Sequence, residues 1–236
     1  MPFGTGYYWG FDPTYLLIII GLLICVWASA SMNSTFGRYS RIENRSRITG
    51  AEAAQRILQY AGIHDVHIER TGGNLTDHYD PRTKVLRLSG SVYGSTSVAA
   101  VCVAAHECGH AVQHNRQYLP LTVRGAIVPV ANLGSALSWP LFFAGLIFSV
   151  PSLLTLGIVL FTAAVAFQLV TLPVESNASR RALAMLQETG ILREEELRGG
   201  RKVLKAAALT YVAALASSIL QLLRLLILAG GTRRDD

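Results

Sequence analysis

Long uncharged stretches dominate the pattern of hydrophobic and polar positions in this 236-residue chain. Residues 15–32 are almost entirely apolar, residues 125–174 carry no charge, and residues 206–228 carry one, Arg224. A membrane-spanning helix needs about 20 consecutive, mainly apolar residues. The middle stretch is long enough for two such helices, with a break near Pro151. The pattern therefore predicts four transmembrane helices, at residues 13–32, 125–149, 152–174 and 206–229.

The first stretch could instead be a secretory signal peptide, because Ala28-Ser29-Ala30 resembles a cleavage site. No Lys or Arg precedes Arg38 in this sequence, so the positive region that opens a signal peptide is missing. We therefore expect a retained helix. Near the end of the last stretch, Arg224 is expected to reach the lipid headgroups with its long side chain.

The basic residues predict the orientation in the membrane. Eleven Lys and Arg residues lie within 38–124 and seven within 180–205, and two predicted spans separate these segments. The positive-inside rule makes the face that they share cytoplasmic. Four spans would then place both termini outside, which suits the two arginines of the C-terminal tail poorly. The last apolar stretch could therefore lie along the membrane or re-enter it instead of crossing.

Composition excludes several classes of function. Hydrophobic residues make up 51% of the chain and charged residues 15%, well below the roughly 25% of average soluble proteins. The net charge of +6 is spread over loops without a basic stripe interleaved with aromatics, so no nucleic-acid partner is expected. The three cysteines, Cys25, Cys102 and Cys108, show no paired spacing, which argues against disulfide and redox sites.

The polar segment, residues 33–124, combines signals for helices and strands. Thr49 and Glu52 form a capping-box pattern that opens a helix ending near Gly62. Residues 66–69 and 84–88 read as strands with turns between them. Ser95 or Ser97 caps a further helix that runs to about Asn115. The prediction is a mainly α integral membrane protein with a small α+β catalytic domain of zincin type on the cytoplasmic side.

The predicted helix at residues 95–115 carries a His-Glu-x-x-His motif. His106 and His110 are four residues apart, so they lie on one helical face and can share one Zn²⁺ ion. Glu107 lies beside the metal and can take a proton from a water activated by the zinc, then pass it to the leaving amine. Burial of these groups on an apolar helix would be costly without a metal.

A catalytic zinc site usually has three protein ligands. His114 continues the spacing, but it lies about 12 Å along the helix from His106 and cannot converge on the same ion. Position 116, where a metzincin needs histidine, holds Arg116. Glu175 directly follows two predicted spans that return the chain to the face of the motif, so it is the expected third ligand. It would open a new helix, segment 175–205, and its alternative role is to favour the dipole of that helix.

The chain resembles the YugP-type neutral zinc metallopeptidases of bacterial membranes over nearly its whole length. The resemblance rests on residues 10–15 (GFDPTY), 75–83 (LTDHYDPRT), 92–97 (VYGSTS), 105–110 (AHECGH), 172–175 (LPVE) and 177–181 (NASRR). It implies a membrane-bound zinc peptidase with a cytoplasmic active site. More distantly, the chain is similar to HtpX-like and CAAX-processing membrane peptidases, which carry aspartate four residues after the third ligand. Ser179 occupies that place here, so hydrogen bonding around the metal must differ.

The sequence leaves open which donor stabilises the developing oxyanion. His78, Tyr79, Arg180 and Tyr211 are all conceivable, with His114 and Ser179 as further residues around the metal. In gluzincins an edge strand before the motif helix aligns the substrate by strand addition. By that analogy the substrate strand here would comprise Lys84, Val85, Leu86, Arg87 and Leu88.

The expected function is that of a gluzincin-type metalloendopeptidase that cleaves membrane or membrane-proximal polypeptides. An intramembrane protease is a rival interpretation, but no Asp-Gly motif occurs, and Arg116 and Arg124 follow the motif closely. A zinc-binding membrane scaffold or sensor without turnover is the second alternative, against which the intact Glu107 argues. The oligomeric state is not determined by the sequence.

Overall fold

The computed structural model describes residues 12–232, so residues 10 and 11 and the arginines of the C-terminal tail lie outside it. Four of its helices are long and apolar enough to cross a membrane, which confirms the predicted mainly helical membrane architecture: Tyr15–Tyr39, Leu119–Ile147, Pro151–Glu188 and Glu194–Gly230. The elements in chain order are α1 (Tyr15–Tyr39), α2 (Gly50–Tyr60), β1 (His67–Thr71), β2 (His78–Asp80), β3 (Val85–Ser89), α3 (Gly90–Tyr93), α4 (Val98–Asn115), α5 (Leu119–Ile147), α6 (Pro151–Glu188) and α7 (Glu194–Thr232).

Helices α1 and α7 pack as an antiparallel pair through small residues. A Cβ added to Gly21 would lie 2.7 Å from Ser217 Oγ, so the backbones approach closely there. One turn along, the Cys25 thiol donates to the carbonyl of Ala213 at 3.6 Å. In a bilayer the hydrophobic effect does not drive helices together, so membrane helices usually associate by close packing at small residues.

Arg224 lies at the outer end of this pair. Its Nη2 is 3.7 Å from Asp12 Oδ2, and its Nε donates to Thr14 Oγ1 at 3.2 Å. Its guanidinium also covers the ring of Tyr15 at 4.7 Å. Arg224 therefore contacts the start of α1, where Asp12 offers an opposite charge, and its headgroup contact stays a prediction.

Helices α5 and α6 form the second antiparallel pair, joined at the predicted break before Pro151. A Cβ on Gly145 would lie 2.5 Å from Leu154 N, and one on Gly157 would lie 2.8 Å from Ser138 O. Helix α5 contains Pro129 and Pro140, which a membrane helix tolerates.

The polar part has its own core, built around α4. The predicted capping box is confirmed: Thr49 Oγ1 accepts from the Glu52 amide, and the Glu52 carboxylate accepts from the Thr49 amide. Ser97 caps α4 by accepting from the amide of Ala100. Side chains of α2, β3, α3 and α4 fill the core, among them Ile57, Leu86, Leu88, Val92 and Val101.

The three strands lie in the order β1-β3-β2. Strand β3 pairs in parallel with β1 and antiparallel with β2. Both of its backbone edges are therefore hydrogen bonded within the sheet. The expectation that Lys84, Val85, Leu86, Arg87 and Leu88 form a substrate-binding edge strand is wrong, because a central strand has no free edge for another chain.

Glu175 lies inside α6 and does not open a new helix. Helix α6 is continuous from Pro151 to Glu188 and passes through Pro173 just before the glutamate. The predicted helical segment at residues 175–205 therefore consists of the end of α6 and the start of α7. Where a helix passes from an apolar medium into water, its side chains switch from apolar to polar while its backbone hydrogen bonds continue. The switch at Glu175 therefore resembles the start of a helix in the sequence, although α6 is continuous.

Candidate metal centre

Helix α4 presents His106, Glu107 and His110 towards α6. The two helices meet at Gly109, where an added Cβ would lie 2.5 Å from the carbonyl oxygen of Ala178. Only glycine permits this approach, because the obstructing atom belongs to the backbone. The glycine within the motif therefore brings the histidines up to the part of α6 that carries Glu175.

Two imidazoles and one carboxylate converge at this contact. Glu175 Oε2 lies 3.2 Å from His106 Nε2 and 3.6 Å from His110 Nε2, and one ligand atom from each residue lies within 4.8 Å of the others. In a tetrahedral zinc site with bonds near 2.0–2.2 Å, neighbouring ligand atoms are about 3.3–3.5 Å apart. The donor set and its spacing therefore fit Zn²⁺, which these three residues could hold.

The second nitrogen of each imidazole has a partner of its own. His110 Nδ1 lies 3.0 Å from Gln113 Oε1, and His106 Nδ1 lies 3.1 Å from Ser179 Oγ. Because an amide oxygen only accepts, His110 must donate from Nδ1. The lone pair of His110 Nε2 is then free to bind a metal, as in sites where hydrogen bonding fixes the tautomer of the ligand.

Gln113 is held in this orientation by α6. Its Nε2 donates to the Val174 carbonyl at 2.8 Å and to Asn177 Oδ1 at 3.0 Å, and Arg181 Nε donates to the same Asn177 oxygen at 2.7 Å. Gln113 is fully buried. Sequence reasoning missed it, although a polar residue three positions after His110 on an otherwise apolar helix was an available signal.

The centre is acidic and buried. Glu107 and Glu175 are 8% and 3% exposed, so water hardly screens their charge. Burial lowers the pKa of His110, but the hydrogen bond that its imidazole donates to Glu175 and the negative charge of Glu107 outweigh burial, so the pKa is raised overall. The site thus attracts positive charge, whether a proton or a metal cation. Arg124, which is not among the residues predicted for the site, also reaches the centre: its Nη1 lies 3.4 Å from Glu175 Oε1.

A cleft of about 1070 Å³ opens beside the centre, between the polar part and the start of α5. Among the predicted residues, His78, Tyr79, His114 and Tyr211 line it, together with the metal-binding group. Tyr79 OH lies 2.9 Å from His114 Nδ1, and burial raises the pKa of Tyr79 to about 12, so its hydroxyl stays protonated. His114 is outside the group of possible metal ligands.

A smaller cavity meets the cleft at Glu107. It is bounded by α1, α4, α6 and α7, and Glu107, Glu175 and Tyr211 line both spaces. Ser179 lines the smaller cavity but not the cleft. Arg180 is exposed on α6 and lines neither, so the structure does not bring it to the centre.

The comparisons with known proteins agree with this chemistry. A family model described as "Putative neutral zinc metallopeptidase" matches residues 14–230. The chain is also 48% identical, over 212 residues, to a Bacillus subtilis (strain 168) protein named "Putative membrane protease YugP", which covers 90% of this chain and 94% of that protein. No solved structure matches the chain. The match over almost the entire length places this chain in the family described as "Putative neutral zinc metallopeptidase".

Proposed function

We propose that this protein is a zinc-dependent endopeptidase that cleaves membrane or membrane-proximal polypeptides at the cytoplasmic face. The observation that carries the proposal is the convergence of His106, His110 and Glu175 at the wall of a cleft. A buried carboxylate that can act as a base, Glu107, lies next to them. A structural zinc site would not need that base, and it is normally closed by a fourth protein ligand.

The proposed chemistry divides between the metal and the side chains. His106, His110 and Glu175 would hold Zn²⁺, which supplies Lewis acidity when bound. Glu107 accepts a proton from the attacking water and delivers it to the leaving amine. Burial of Glu107 excludes bulk water from this transfer.

Tyr211 is the proposed donor to the developing oxyanion. Of the four candidates named from the sequence, it lines both spaces that meet at Glu107, whereas Arg180 lines neither. Tyr79 is engaged with His114. A phenolic hydroxyl aimed at developing negative charge stabilises the transition state more than the ground state.

We place the substrate along β2 instead of β3. Strand β2 pairs with β3 on one side, no described strand covers its other edge, and His78 and Tyr79 line the cleft. An extended polypeptide could add to that edge through main-chain hydrogen bonds.

The depth of the site favours membrane-proximal cleavage over cleavage within the bilayer. Glu175 is about 36 Å along α6 from Pro151, at about 1.5 Å per residue, which exceeds the roughly 30 Å hydrocarbon core. The centre therefore lies near the headgroups, at the end of the spans that the positive-inside rule assigns to the cytoplasm.

The test combines zinc content with hydrolysis of an unfolded polypeptide such as casein by detergent-purified protein. Glu107→Gln should keep zinc and lose hydrolysis, whereas Glu175→Ala should lose zinc as well. Tyr211→Phe should keep zinc and lower kcat by about 10²–10³-fold with little change in KM. Glu194→Gln, which changes an exposed glutamate at the start of α7, is the matched control and should leave both quantities unchanged.

Full hydrolysis by Glu107→Gln would overturn the proposed base. Stoichiometric zinc in a wild-type protein that cleaves no polypeptide would favour the scaffold or sensor alternative. Retention of zinc by Glu175→Ala would remove the third ligand from the proposal.

A further inference from the structure

A third cavity lies between α1 and α7, away from the metal centre. It has a volume of about 540 Å³ and is bounded by the last turns of α1 and by the part of α7 where the charged start gives way to the apolar stretch. Its lining combines cations, hydroxyls and apolar side chains. We call it the α1–α7 groove; the residues that matter here are Ser34, Thr35, Arg38, Lys202, Lys205 and Leu209.

The groove is built into the helix pair. Towards the polar part, α7 touches α1 at Gly199, where an added Cβ would lie 2.6 Å from the ring of Tyr39. Towards the far end, the helices touch at Gly21 and Ser217. These two close contacts fix the helices relative to each other, so the opening between them does not depend on a flexible loop.

Three cations face the groove without a carboxylate partner. Arg38, Lys202 and Lys205 are exposed, and none of them forms a salt bridge within residues 12–232. The guanidinium of Arg38 lies over the ring of Tyr39 at 5.9 Å, which holds it at the groove. Cations and hydroxyl donors together are the usual chemistry for binding a phosphate group.

The cations lie at the depth of phospholipid phosphates. Arg38 is about 35 Å along α1 from Tyr15, at about 1.5 Å per residue. The hydrocarbon core is about 30 Å thick, and the bilayer with its headgroups is about 40–45 Å thick. The apolar wall formed by Leu209 and Val212 continues from the cations towards the core, where an acyl chain would lie.

We propose that the α1–α7 groove binds one anionic phospholipid, with its phosphate at Arg38, Lys202 and Lys205 and an acyl chain along Leu209. The site is independent of the peptidase reaction. A soluble phosphate would use the same cations but would leave the apolar wall uncovered.

The test is native mass spectrometry of the full-length protein released from mixed detergent micelles that contain phosphatidylglycerol and phosphatidylcholine. Wild type should retain one phosphatidylglycerol in preference to phosphatidylcholine. The pair Lys202→Ser/Lys205→Ser should weaken this retention about thirtyfold, because each lysine near a lipid phosphate contributes to attraction. The matched control is Arg198→Ser/Arg201→Ser, which removes the same charge from exposed positions of the same helix outside the groove, and it should change retention less than about threefold.

A second variant, Leu209→Trp, fills the groove without changing charge and should also reduce retention. Circular dichroism checks that each variant is folded. Equal losses in the groove and control pairs would overturn the proposal in favour of diffuse attraction, and equal retention of phosphatidylcholine would overturn its selectivity. Displacement of the lipid by inorganic phosphate in the millimolar range would show a site for a soluble anion.

Discussion

At the scale of single residues, the geometry around His110 gives Gln113 an importance that its position in the sequence does not suggest. It accepts from the imidazole with its amide oxygen and is held in place by two acceptors on α6. Such hydrogen bonds orient ligands and raise their basicity, and their loss typically costs 10–100-fold in metal affinity.

Gln113→Leu should therefore weaken zinc binding by about 10–100-fold while the motif itself stays intact. Competition with a chromogenic chelator measures this affinity directly. Gln187→Leu makes the same chemical change at an exposed position of α6 and should bind zinc like wild type. Unchanged affinity in Gln113→Leu would mean that the tautomer of His110 is set by the metal alone.

The motif residues could be proposed from their spacing, because both histidines belong to one helix. Glu175 on α6 could be proposed as well, since two predicted spans return the chain to the face of the motif, but its contact with Arg124 could not. Arg124 is an ordinary topology-determining arginine in the sequence, and its contact with Glu175 arises only because α5 and α6 return to the same end of the molecule. Ser179, which stands where the more distant families carry aspartate, lies 3.1 Å from His106 Nδ1 through its hydroxyl oxygen.

At the scale of elements, the contact between α4 and α6 decides whether the metal-binding group assembles. Gly109→Ala would drive a methyl group into the carbonyl of Ala178, and the two helices would have to separate. Overpacking of this kind costs about 1–3 kcal/mol. We expect a lower melting temperature and reduced zinc content, since Glu175 would move away from both histidines.

Gly37→Ala is the control for this prediction. Gly37 is also helical, but no atom lies within 4 Å of an added Cβ, so this variant should be at least as stable as wild type. Zinc content would be measured by elemental analysis and stability by thermal unfolding. Normal zinc content in Gly109→Ala would show that the helices can adjust without moving the ligands.

Local elements were predictable where local chemistry specifies them. The capping box that opens α2 and the serine that caps α4 need only four consecutive residues each. The central position of β3 in the sheet could not be predicted from local sequence. Both β1 and β2 precede β3 in the chain, and local sequence does not determine which strands pair with which. The continuity of α6 was also missed, since a change of solvent along a helix mimics a helix boundary.

At the scale of the whole molecule, two antiparallel helix pairs place the metal-binding group at one end and the connection between α5 and α6 at the other. The number of apolar helices followed from hydrophobic length alone. Which end faces the cytoplasm rests on the distribution of basic residues, and it can be tested directly.

A membrane-impermeant maleimide applied to intact cells should label Ser152→Cys and spare Arg82→Cys. Ser152 is exposed beside the α5–α6 connection, and Arg82 is exposed in the turn before β3. Both variants are made in a Cys25→Ser background, because Cys25 is only partly buried. The other two native thiols should react little, because Cys102 and Cys108 are fully buried and burial raises the pKa of the Cys102 thiol to about 12. After cell lysis Arg82→Cys should also react. The opposite pattern in intact cells would place the active site outside.

The position of Glu175 within α6 has a practical consequence for dissecting this protein. A soluble fragment truncated to the polar segment would retain two of the three residues that can hold the metal, because the third is reached only through the α5–α6 hairpin. Two ligands on one helix hold zinc far less firmly than three. The metal site is therefore complete only when the α5–α6 hairpin is in place, and zinc occupancy can serve as a readout of correct membrane assembly.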